Sequence, residues 1–73
     1  MATLDVRALM AAGEEPFTAI MTTVGKLEPD EDFELFAPLE PVPLYGVLGA
    51  RGFSHETEAI GGGDYRVVFR REE

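Results

Sequence analysis

The apolar residues of this chain change their spacing twice, and that change limits the folds open to it. Phe17, Ile20, Met21, Val24 and Leu27 fall at the three- and four-residue intervals of one helix face. On either side, Leu4-Asp5-Val6-Arg7 and Phe33-Glu34-Leu35 follow the two-residue period of half-buried strands. Phe53 to Ala59 reads as a third strand, with Phe53, His55 and Thr57 inward. In a fourth, Tyr65, Val67 and Phe69 form the buried face, with Arg66, Val68 and Arg70 outward. Gly61-Gly62-Gly63-Asp64 between them is a hairpin turn.

The connections agree with this. Met10 to Glu15 breaks the first alternation, with Gly13 as its bend. Pro16 suits a first helical turn, where a missing N–H costs nothing, and Glu14 and Glu15 suit the positive end of the helix dipole. The three prolines of Ala37-Pro38-Leu39-Glu40-Pro41-Val42-Pro43 rule out a strand and make a rigid loop. A second helix is expected from Pro43, with Leu44, Val47 and Leu48 as its stripe and Gly52 as its stop. Gly46 and Gly49 weaken it, and close packing on a sheet would explain them. The order βαβαββ predicts an α+β two-layer sandwich, a four-stranded mixed sheet with two helices on one face. Its first two strands are parallel. Residues 1–73 are read as one domain with no linker.

Composition excludes several function classes. With 73 residues the chain buries one thin core and has no room for an enclosed active site. There is no Cys, hence no disulfide, thiolate nucleophile or cysteine-ligated metal. Apolar runs are short and the first residues lack a signal-peptide pattern, so a cytoplasmic protein without membrane association is expected. A net charge of -8 repels phosphate backbones, and Arg66, Arg70 and Arg71 beside two glutamates make a poor nucleic-acid patch. Self-association is expected to stop at monomer or weak homodimer, because the acidity opposes edge pairing.

Ligands of open α/β sheets bind outside the carboxyl ends of parallel strands, which here should collect Arg7, Met10, Glu14, Glu15, Leu39 and Glu40. With Tyr45, the candidate binding rim is Arg7, Glu14, Glu15, Glu40 and Tyr45. No catalytic residue, metal site or cofactor is assigned. His55 is the only histidine and is expected at the core edge, with Ser54 on the opposite face. The other sheet face should carry a charge ladder of Asp5, Arg7, Glu56, Glu58, Arg66 and Arg70.

Leu4-Asp5-Val6-Arg7, Glu15-Pro16-Phe17, Ala37-Pro38-Leu39-Glu40-Pro41-Val42-Pro43-Leu44-Tyr45 and Arg51-Gly52-Phe53 occur in an order that resembles a bacterial, TusA-like family of unknown function. Its members stand alone or beside hemerythrin-like domains. The resemblance runs from Leu4 to about Arg71, and Glu-Pro-Val-Pro-Leu-Tyr is its most specific part. It implies a TusA-like fold, similar also to the C-terminal domain of bacterial translation initiation factor three. TusA carries sulfur on a Cys in a Cys-Pro-x-Pro motif at the start of its first helix. This chain has Met10 to Pro16 there without Cys, so no persulfide can form. Relatives often hold histidines before the second helix, where this chain has Pro38, Leu39 and Glu40. The expected function is a non-catalytic module binding a protein partner or small ligand. The alternative is a degenerate sulfur-carrier-like accessory of sulfur or redox metabolism.

Overall fold

The computed structural model describes residues 1–72. Among them the chain forms β1 (Ala2–Asp5), α1 (Arg7–Ala11), α2 (Phe17–Gly25), β2 (Phe33–Ala37), α3 (Val42–Gly49), β3 (Phe53–Gly61) and β4 (Asp64–Arg71). One mixed sheet has the order β1-β2-β4-β3, with β1 and β2 parallel and the other pairs antiparallel. This is the expected α+β sandwich with one more helix. Among the described residues no helix is long and apolar enough to cross a membrane.

The extra helix corrects the reading of Arg7 as a strand residue. β1 stops because Asp5 turns back to accept the Arg7 backbone N–H at 3.0 Å. The Met10 N–H then donates to Val6 O at 2.9 Å and α1 begins. Arg-Ala-Leu-Met-Ala are all good helix formers, but five residues are too few to show a period.

Alternation decides what the sheet buries. Phe33 and Leu35 of β2 and Val67 and Phe69 of β4 are fully buried on the helix-covered face. Phe33 and Phe69 face each other across the strands, stacked at 5.9 Å. Onto this layer α2 sets Ile20 and Val24, and α3 sets Leu44 and Leu48. Full burial of such a side chain stabilises by roughly 1.5–3 kcal/mol relative to exposure.

The helix boundaries follow the prolines. Pro16 immediately precedes α2, while α3 begins at Val42, one residue before the expected Pro43, because both Pro41 and Pro43 fit its first turn. Phe17, on the predicted apolar stripe, lies outside the core at 47% exposure. Close packing does not explain Gly46 and Gly49: both are exposed, and a Cβ on either would meet nothing within 4 Å. β3 runs two residues past Ala59 through an irregularity between Ala59 and Gly61. Gly62 and Gly63 then both take positive φ, as a two-residue turn between right-twisted strands requires.

His55 and Thr57 depart from their inward assignment. By register they share the helix-covered face with Phe69 and Val67, yet both are exposed. β3 is the sheet edge: Phe53 at its start is buried in the core, but further along the strand His55 is covered by Tyr45 of α3, whose ring stacks on it at 3.8 Å. Val68 departs the other way, buried on the open face between Glu34 and Glu56 of the neighbouring strands.

Candidate functional site

The structure divides the five candidate rim residues among three places. Arg7 goes to the uncovered sheet face, because the turn into α1 sends its guanidinium over Phe36 at 5.3 Å. There it donates to Asp5 at 2.7 Å and to Asp64 at 2.9 Å, and to none of the rim carboxylates. Bonding to Arg7 holds the Asp5 carboxyl below its ordinary value, and the two carboxylates hold Arg7 charged more firmly.

That face is the expected ladder, enlarged by residues the sequence had not marked. Arg66 bonds Glu34 and reaches Glu58 at 3.6 Å, and Arg70 holds Asp32 at 3.2 Å and Glu56 at 3.1 Å. Arg66 first, and Thr3 after it, hold the Glu34 carboxyl down. Asp32, Glu34 and Asp64 escape detection because cross-strand register, not sequence spacing, brings them to an arginine.

Glu15 sits at the mouth of α2 as its cap. Its carboxylate accepts the Phe17 N–H, the Thr18 N–H at 3.4 Å and the Thr18 hydroxyl at 3.2 Å. This satisfies donors that a helix start leaves unpaired. Glu14 is exposed beside it, its backbone N–H bonded to Leu9 O.

Glu40 and Tyr45 form the third place. The Tyr45 hydroxyl donates to Glu40 at 3.3 Å and also bonds the Thr57 hydroxyl. A phenol has one proton to give, so Thr57 is the donor in the second bond. Burial pushes the Tyr45 phenol above its ordinary value, and Glu40 adds to this while Thr57 opposes it. Tyr45 therefore stays protonated and ties α3 to β3 through His55 and Thr57.

Between the starts of α2 and α3 lies the feature that sequence reasoning missed. Pro16, Phe17, Ile20, Pro41, Pro43, Leu44 and Val47 line a groove of about 170 Å³ without one polar side chain. Glu15 and Glu40 immediately precede its prolines, and Glu14 stands next to them. None of these three carboxylates pairs with a cation among the described residues. A sequence signal was present: Glu15-Pro16 and Glu40-Pro41 repeat one dipeptide at two loop-to-helix junctions. Among the described residues, no group of three or more His, Asp or Glu side chains is placed to hold a metal ion.

Residues 3–71 match the model of a family described as an uncharacterized conserved protein, DUF2249. The chain belongs to this family. No curated protein and no solved structure matches it. The DUF2249 match covers every strand and helix except Ala2, so groove, ladder and Tyr45 cluster all lie within the family's extent.

Proposed function

We propose that this DUF2249 domain is a cytoplasmic, non-catalytic docking module, and that its groove receives an apolar side chain from a basic segment of a partner protein. The observation that carries the proposal is the groove itself, apolar throughout and preceded on both loops by carboxylates that pair with no cation among the described residues. Its lining offers contact area and no group that could move a proton or attack a substrate. The acidic rim selects the sign of the partner and speeds its encounter.

A leucine peptide flanked by lysines is the probe, with the same peptide flanked by glutamates as control. Amide shifts at Phe17, Ile20, Leu44 and Val47 should saturate with the basic peptide only. Phe17→Glu should abolish them without changing the melt, because Phe17 is 47% exposed. Equal response to both peptides, or to neither, overturns the proposal.

The second reading, a degenerate sulfur-carrier-like accessory of TusA-like kinship, rests on the position of the groove. It opens at the loop before α2, where the resemblance places the carrier cysteine. Under this reading a rhodanese-type enzyme docks there and transfers nothing, since the chain has no Cys. Absence of binding between the purified pair removes it.

A further inference from the structure

Arg7, Arg66 and Arg70 each hold two carboxylates on the open sheet face. The other three cations, Lys26, Arg51 and Arg71, make no ion pair among the described residues, although the chain has 14 acidic residues. They are gathered at the opposite end of the helices from the groove. Lys26 follows α2, Arg51 follows α3, and Arg71 ends β4 opposite Phe53.

Arg51 and Arg71 line one cleft of about 410 Å³ with Val24, Gly25, Leu27 and Phe53. The backbone fixes their spacing. Gly52, at φ +88°, turns the chain from α3 into β3, and its carbonyl accepts the Glu72 N–H at 2.7 Å. The residue after each arginine is thus tied to the other. The Arg71 guanidinium lies 4.9 Å above the Phe53 ring, a contact that orients it without a counter-charge.

Cations near helix C-termini also answer the helix dipole, which accounts for Lys26 and Arg51 in part. It does not account for Arg71, on a strand. Several of the helix-end carbonyls are engaged by backbone donors, which lessens their repulsion of an anion. Thr23 O and Val24 O accept the Lys26 and Leu27 N–H groups, and Gly46, Leu48 and Gly49 accept those of Ala50, Arg51 and Gly52. Asp30 and Glu72 share a neighbouring depression with Arg71 and bond to neither arginine.

We propose that this cleft binds a small oxyanion, carboxylate or phosphate, carried on an aromatic body. Arg51 and Arg71 take the oxyanion by charge-assisted hydrogen bonds, and Val24, Leu27 and Phe53 take the ring. At physiological salt, charges beyond roughly 8 Å are screened, so the field in the cleft is set by Arg51 and Arg71 against the neighbouring Asp30 and Glu72 rather than by the net charge of -8. The site is independent of the groove and of what docks there.

The experiment is an amide NMR titration of the full chain with phenyl phosphate and with benzoate. Inorganic phosphate and benzyl alcohol serve as half-ligands, the anion without the ring and the ring without the anion. Saturable shifts at Val24, Gly25, Leu27, Arg51, Gly52, Phe53 and Arg71 are expected with at least one whole ligand. Arg51→Gln and Arg71→Gln should each weaken binding about tenfold while the spectrum stays dispersed. Response to phenyl phosphate alone, or to benzoate alone, assigns the oxyanion. No saturable shift with either overturns the proposal. So does inorganic phosphate or benzyl alcohol binding as tightly as the whole ligands, or full affinity in both glutamine variants.

Discussion

The two ends of the helical layer differ in which of their charged groups are left without an ion pair among the described residues. Where α2 and α3 begin, Glu14, Glu15 and Glu40 stand in the loops that lead into an apolar groove and pair with no cation among the described residues. Where they finish, Arg51 and Arg71 line a cleft and make no ion pair among the described residues, although Asp30 and Glu72 lie beside Arg71. Between them, each arginine of the open sheet face is held by two acidic side chains. The sheet pairs its charges because neighbouring strands set them side by side. At the helix ends the charged groups meet neutral partners instead: Glu15 caps α2, Glu40 accepts the Tyr45 hydroxyl and Arg71 lies over Phe53.

The contrast breaks entirely if the core that joins the ends is opened. Phe69→Ala should cost about 3–5 kcal/mol, comparable to the whole margin of about 3–5 kcal/mol that so small a core supplies. Urea unfolding should show groove and cleft lost together. Gly52→Ala touches one end. A Cβ there meets only Glu72 O at 3.7 Å, so the expected loss of about 1–2 kcal/mol is conformational. It should weaken oxyanion binding at the cleft and leave peptide binding at the groove intact.

Gly46→Ala tests the helix that connects the ends. It removes backbone freedom and fills open space, so a gain of about 0.5–1 kcal/mol is expected with both ends unchanged. A loss would show that α3 needs this glycine for packing. The smallest effect belongs to the paired middle under acid. Asp5 and Glu34 have lowered values in the fold, so their contribution is complete above ordinary values of 3.8 and 4.5 and is lost as pH falls through the lowered ones. Melts recorded downward from about pH 5 should follow this sign, and Arg66→Gln should flatten the limb due to Glu34.

The sequence exposed whatever depends on period and turn chemistry. The stripe from Ile20 to Val24, the alternations around Leu35 and Val67, and the glycines of the hairpin each correspond to an element where expected. It hid what depends on register and cover. Arg7 belongs to a five-residue helix too short to announce itself, and its partner Asp64 is 57 residues away. His55 has the parity of a core residue and the exposure of an edge residue, because nothing in its own segment tells how far α3 reaches. Phe17 has the spacing of a core residue and stands outside it, and that displacement opens the groove.

The strand order has a consequence for how the sheet is completed. β4, the last strand of this sheet in chain order, lies between β2 and β3. Without Phe69, Phe33 has no ring to stack on, and β2 lacks its partner on that side. The sheet therefore cannot be completed before β4 is available, because both β2 and β3 take their antiparallel partner from it.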